Sequence, residues 1–212
     1  PLYVRQAYEA KKWAFVTDYV RLKVVYDCGG IYLDTDVELR KNLDFLLANH
    51  AYFGFEGGKY IATGLGFGAE KGTPILAELM ADYEDIPFLL PDGSIDHTPC
   101  PKRNTNVFLR HGLVQNDQKQ VLDSKILILP TECLSPLDYK TGKKSLTDNT
   151  ISIHWFAASW QPKEQRDRHE KAKREHKRAE LLHNLAHTPN RILRGIIGVE
   201  RYEIFKKKMK GL

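Results

Sequence analysis

Apolar residues recur at helical spacing through residues 5–27, where Phe15, Tyr19, Leu22 and the Val25-Tyr26 pair fall on one face. A 3.6-residue repeat predicts helix, here in two segments with Thr17 capping the second. Gly29-Gly30 ends that pattern. Ile31-Tyr32-Leu33 is a short apolar run that predicts a strand ending at Asp34-Thr35-Asp36, with Val37-Glu38-Leu39 extended beyond it. Alternation around Tyr52, Phe53 and Phe55, and again from Ile61 to Phe67, predicts two strands separated by Gly57-Gly58. Pro74 to Ile86 predicts a helix with proline in its first turn, and Asn106 to Leu113 another, closed by Gly112. Ile126 to Leu129 reads as a strand stopped by Pro130, and Thr150 to His154 as a last strand. A highly charged helix is expected from Lys163 to His187, broken at Thr188-Pro189-Asn190, with a second basic helix after it. Strands alternating with helices predict an α/β domain over residues 1–162, followed by a basic helical extension over 163–212.

Composition narrows the class. A chain of 212 residues with 42% hydrophobic and 28% charged residues suits one principal globular domain with a sizeable core. No run of 18 apolar residues occurs, so no membrane-crossing helix is expected. Pro1 to Gln6 lacks both an initiator Met and the apolar stretch of a signal peptide, which reads as a processed or truncated end. Cys28, Cys100 and Cys133 show neither zinc spacing nor a disulfide framework, so reduced structural thiols of a cytosolic protein are expected. Charge is uneven: residues 161–212 carry 15 Lys and Arg against 7 Asp and Glu, whereas residues 1–160 carry 17 against 20. The front half is thereby expected to hold an acidic site and the tail a separate basic function.

Asp34 and Asp36 lie one residue apart at the end of a predicted strand, where open α/β sheets bind ligands. Two carboxylates this close repel unless a cation sits beside them. Oxygen ligands suit Mn²⁺ or Mg²⁺ held together with substrate phosphates. Taken alone, Asp-x-Asp reads more readily as a solvated acidic turn than as a metal site. The wider context is Thr17-Asp18-Tyr19-Val20-Arg21 followed by Tyr26-Asp27-Cys28-Gly29-Gly30-Ile31-Tyr32-Leu33-Asp34-Thr35-Asp36-Val37-Glu38, and, far downstream, His154-Trp155-Phe156-Ala157-Ala158-Ser159-Trp160. These stretches resemble the DXD-containing glycosyltransferases of the family 32 type, which include bacterial capsule and lipopolysaccharide transferases and initiating α-1,6-mannosyltransferases. The resemblance runs over about residues 5–160.

The resemblance implies a Rossmann-like, A-type nucleotide-sugar transferase fold lacking its first strands, since no Ile-His-x-x-Trp-like segment precedes Pro1. It implies a metal-dependent, retaining hexosyltransferase that uses Mn²⁺ or Mg²⁺ and a nucleotide-sugar donor, UDP by family habit. The acceptor would be a glycan or lipid-linked acceptor of surface-polysaccharide biosynthesis. Asp34 and Asp36 would form the catalytic pair, and Asp36, Asp34 and His154 would hold the metal. Asp18, Arg21, Tyr32, Asp34, Ser159 and Trp160 would bind the donor, Ser159 and Trp160 through the β-phosphate. Gly29-Gly30 would stop the helix and bring the chain close to the ligand. Gly64-Leu65-Gly66-Phe67-Gly68 lacks the Lys-Ser/Thr of a phosphate loop and reads as a strand and turn lining the sugar pocket. Glu56 is a candidate acceptor-site residue.

Rival readings exist. A haloacid-dehalogenase-like phosphatase would use Asp34 as nucleophile, but Glu38 stands where that pattern wants Thr or Val, and Asp82 and Asp85 fall on a helix. A non-catalytic module would bind membrane or nucleic acid through Lys171-Ala172-Lys173-Arg174, Lys177-Arg178 and Lys206-Lys207-Lys208. The tail reads equally as a solvated helix with Glu-to-Lys pairing; of the functional readings, anionic lipid head groups fit best and would make this a cytoplasmic protein peripheral to the inner face of a membrane. No stacking aromatics interleave these charges, so nucleic acid is not an expected partner.

Overall fold

The computed structural model describes residues 1–123, 125–158, 161, 163–199, 201 and 204. The chain divides into two compact units, Pro1–Trp160 and Gln161–Leu212. The first opens with helices α1 (Leu2–Glu9) and α2 (Trp13–Cys28). The turn between them comes earlier than the pattern predicts, with Lys11 in the left-handed region at φ 56°. Thr17 therefore lies inside α2 and caps nothing; its hydroxyl donates back to the Ala14 carbonyl at 2.8 Å. Gly29 does stop the helix, at φ 70°. Its bare Cα faces the Lys71 backbone nitrogen, 2.9 Å from where a Cβ would stand, so it brings two stretches of main chain close together.

Strands β1 (Gly30–Tyr32), β2 (Val37–Leu39), β3 (Ala51–Glu56), β4 (Tyr60–Ile61) and β5 (Phe67–Ala69) follow, then helices α3 (Pro74–Ala81) and α4 (Cys100–Arg110). After them come β6 (Gln120–Leu122), β7 (Ile126–Leu129), the short helix α5 (Thr131–Leu134), β8 (Ser152–His154) and α6 (Lys163–Ile197). The single strand expected over residues 61–67 is split by a 3-10 turn at Thr63–Leu65, because Gly66 turns the chain at φ 106°. Helix α4 begins six residues before the apolar repeat becomes visible, with Pro101 in its first turn. The expected break at residues 188–190 does not occur; α6 is one helix of 35 residues. A proline removes one N–H from a helix, a loss that a long helix can bridge. Among the described residues no helix is long and apolar enough to cross a membrane.

The main sheet runs β1-β5-β3-β7-β6, with β4 added to β3. Among the described residues only β3 and β7 pair in parallel; the other pairings are antiparallel. The architecture is thus mixed α/β with a mixed sheet, consistent with an A-type glycosyltransferase domain. Asp34 does follow the end of a strand, but that strand, β1, is an outer one antiparallel to β5. Both faces of β3 are covered. Phe53 stacks on Phe67 at 5.4 Å and meets Phe108 at 4.8 Å, within a core that includes Tyr3, Leu22 and Leu76. Tyr52 joins Leu127, Leu129, Leu134 and Ile151 on the other side. A separate two-stranded ladder, β2 with β8, lies across the site.

Candidate active site

Two segments far apart in the first unit's sequence meet in that ladder. Val37 pairs with His154, Glu38 with Ile153 and Leu39 with Ser152. Asp34 and Asp36 sit in the turn that enters β2, closed by the Val37 N–H donating to the Asp34 carbonyl at 3.1 Å. Residues opposite each other in an antiparallel pair share a face. Register therefore places the His154 imidazole beside the turn: its Nε2 is 3.1 Å from Asp36 Oδ1 and 3.9 Å from Asp34 Oδ2. One atom from each of the three residues falls within 4.8 Å of the others. The chain leaving β8 then wraps Asp36. Trp155 N–H donates to its carbonyl at 3.0 Å, and Ala157 N–H to its Oδ2 at 2.7 Å. This wrap puts Phe156 and Ala158 in the left-handed region, at φ 51° and 47°. Such backbone costs energy and persists where the surroundings over-determine it. Here the Phe156 ring packs edge-on against His154 at 4.2 Å.

A second layer lies on the α2 side of Asp34. Arg21, seven residues before Cys28 on α2, is buried at 7% exposure. Its guanidinium reaches Asp18 at 3.0 Å, Asp34 Oδ1 at 3.3 Å and the Thr17 carbonyl at 3.0 Å. Asp18 and Arg21 occupy one helix face at i and i+3, as their spacing dictates. The Tyr32 phenol donates to Asp34 Oδ1 at 2.7 Å, and its ring lies 5.1 Å beneath the Arg21 guanidinium. Tyr32 is thus a partner of Asp34 as well as a packing residue. Behind Arg21 stands a buried polar group that the sequence pattern did not mark. Thr63 Oγ1 lies 3.3 Å from Cys100 Sγ and accepts from Asn104 Nδ2 at 3.3 Å. None of these carries a motif, and only the packing of α4 on the Thr63–Leu65 turn brings them to Arg21.

Burial sets the local proton affinities. It pushes the Asp18 carboxyl up to about 6, against the lowering pull of Arg21. Burial also lowers His154 below the ordinary imidazole value, overcoming the opposite pull of Asp36 and Asp34. The imidazole is accordingly neutral at neutral pH, the state in which it can ligate a metal. The donor set fits a divalent ion such as Mn²⁺: two carboxylates and an imidazole converge, and Asp34 Oδ2 faces the gap while Oδ1 holds Arg21 and Tyr32.

Of the residues the sequence pointed to, Asp18, Arg21, Tyr32, Asp34, Asp36 and His154 come together. Ser159 and Trp160 lie outside the described residues. Trp155 points to the other face of the ladder, where its Nε1 donates to Glu38 at 3.2 Å. Glu56 ends β3, and burial alone raises its carboxyl to about 6, with no cation or donor beside it among the described residues.

Comparison with known families agrees with this geometry. Residues 2–53 match the family described as the glycosyltransferase sugar-binding region containing the DXD motif. The matched stretch, about a quarter of the chain, runs from α1 into β3 and holds Asp18, Arg21, Asp34 and Asp36. It points to a glycosyltransferase. No curated protein and no solved structure matches the chain.

Proposed function

We propose that this protein is a metal-dependent glycosyltransferase that moves a sugar from a nucleotide-sugar donor, in the first instance a UDP-sugar, to a glycan or lipid-linked acceptor with retention. The observation that carries this reading is the convergence of Asp34, Asp36 and His154 beside the buried Asp18–Arg21 pair. A bound Mn²⁺ or Mg²⁺ would offset the charge that builds on the departing diphosphate. Asp36, Asp34 and His154 would hold it. Arg21 adds fixed positive charge and hydrogen-bond donors next to the site, and Asp18 offers an acceptor for a donor hydroxyl. Burial of both groups means they are oriented before substrate arrives, which reduces reorganisation during transfer. Ser159 and Trp160 follow Ala158 directly and supply hydroxyl and indole donors for the β-phosphate. Glu56 is assigned to the acceptor side. Replacing Asp36 with Asn should abolish Mn²⁺-dependent donor binding in calorimetric titration and transfer in a product assay; wild-type behaviour of that variant defeats the reading.

The basic tail is assigned to anionic lipid, which would hold the enzyme against a membrane carrying its acceptor.

A further inference from the structure

Position 64 is glycine for a reason that its backbone does not supply. Gly64 lies in the 3-10 turn Thr63–Leu65 and, unlike Gly66, is outside the left-handed region. Its missing side chain is what matters. A Cβ there would stand 2.8 Å from Asp34 Oδ2 and 3.2 Å from Arg21 Nη1. Oδ2 is the Asp34 oxygen that faces His154 across the candidate metal site.

The surroundings leave one direction of relief. The turn cannot retreat: Thr63 and Leu65 are both 0% exposed, Thr63 is tied to Cys100 and Asn104, and Gly66 is backed by Leu33. Arg21 is fixed by Asp18 and the Thr17 carbonyl. Oδ1 of Asp34 is fixed by Tyr32 and Arg21. The carboxylate is rigid, so a methyl group would turn it as a whole about its bonds to Tyr32 and Arg21 and drive Oδ2 out of line with His154 and Asp36.

The geometry points to Gly64 as a positioning residue, whose bare Cα lets the Thr63–Leu65 turn press on Asp34 and hold Oδ2 toward the metal. This inference rests on the metal-site reading above and adds to it the element that fixes one arm of the cage. Groups behind metal ligands set ligand orientation, and their loss weakens metal affinity by roughly ten- to a hundredfold.

A double-mutant cycle on the full chain tests it, read by Mn²⁺ titration with electron paramagnetic resonance and by thermal unfolding. Gly64→Ala should weaken Mn²⁺ binding roughly tenfold or more. The shorter side chain of Asp34→Ser removes the clashing oxygen and leaves only the approach to Arg21 Nη1 at 3.2 Å, so adding Gly64→Ala to it should lower the unfolding temperature by clearly less than in the wild type. An equal thermal loss in both backgrounds, or undiminished Mn²⁺ affinity in Gly64→Ala, overturns the inference. Gly54→Ala, whose Cβ would meet the Leu134 side chain at 2.7 Å, serves as the packing control and should lower stability with metal affinity kept. Failure of the wild-type chain to bind Mn²⁺ would sink the metal-site reading itself, while the thermal cycle would still decide whether Gly64 and Asp34 are coupled.

Discussion

Asp34 uses its two oxygens differently. Oδ1 accepts from Tyr32 and pairs with Arg21, whereas Oδ2 turns to His154. If Asp34 ligates a metal as proposed, the phenol that donates to it orients it, and Tyr32→Phe should weaken Mn²⁺ affinity about tenfold with little change in unfolding temperature. The same titration reads it; unaltered affinity would show that Arg21 alone suffices. Glu56 gives a second test at this scale. Its carboxyl rises from 4.5 to about 6 through burial. A raised folded-state value means the native state holds the proton more tightly, so the stability this provides is present below about pH 4.5 and is lost as pH rises through 6. Glu56→Gln should match the wild type near pH 4 and exceed it by about 2 kcal/mol at pH 7 in denaturant unfolding. A gap that does not change with pH would contradict this. An acceptor-side role predicts that the same variant loses transfer while gaining stability. The residue types and the i, i+3 and Asp-x-Asp spacings were legible in the sequence because local geometry maps them directly onto one helix face and one turn. Thr63 and Asn104 were not, and Gly64 was legible only as part of a turn lining a pocket, because their significance lies in what they touch.

At the scale of elements, one ladder builds the site and one clamp ties three elements of the fold together. The β2–β8 register brings together residues more than a hundred positions apart, and no local periodicity reports which strand will pair with which. The clamp is His111 at the end of α4. Its Nε2 lies 2.9 Å from Glu78 on α3 and its Nδ1 2.5 Å from Asp123 in the turn between β6 and β7. Glu78, then Asp123, raise the His111 pKa above its ordinary value. The added stability is therefore full below about pH 6.5 and fades as pH rises through the raised folded-state value. The melting temperature of His111→Leu should fall well below wild type at pH 5.5 and approach it at pH 9; parallel curves would exclude the clamp. Helix α4 shows why an element boundary can escape the pattern: Asn104 and Thr105 are buried polar positions, invisible to a search for apolar repeats.

At the scale of the whole molecule, charge and chemistry are divided between two units. The acidic cluster belongs to Pro1–Trp160, and the excess of basic residues to Gln161–Leu212. If the tail serves anionic lipid, reversing Lys171, Arg174, Lys177 and Arg178 to Glu should abolish flotation with phosphatidylserine vesicles and leave Mn²⁺ affinity intact. Retained flotation would remove the membrane role without touching the donor site. The alternation of strands and helices announced an α/β domain, yet it could not announce a mixed sheet, because strand direction is decided by which partners each strand finds.

The sequence by itself determined what is local: the helix face that carries Asp18 and Arg21, the glycine stop, the turn with two carboxylates and the strand that ends in His154. Each follows from spacing along a chain of fixed geometry. Tertiary structure alone decided that β8 lies against β2, that Ala157 bonds Asp36, and that Gly64 bears on Asp34. Those contacts join residues remote in sequence, and only the packing of the whole core selects them from the many pairings that local preference allows.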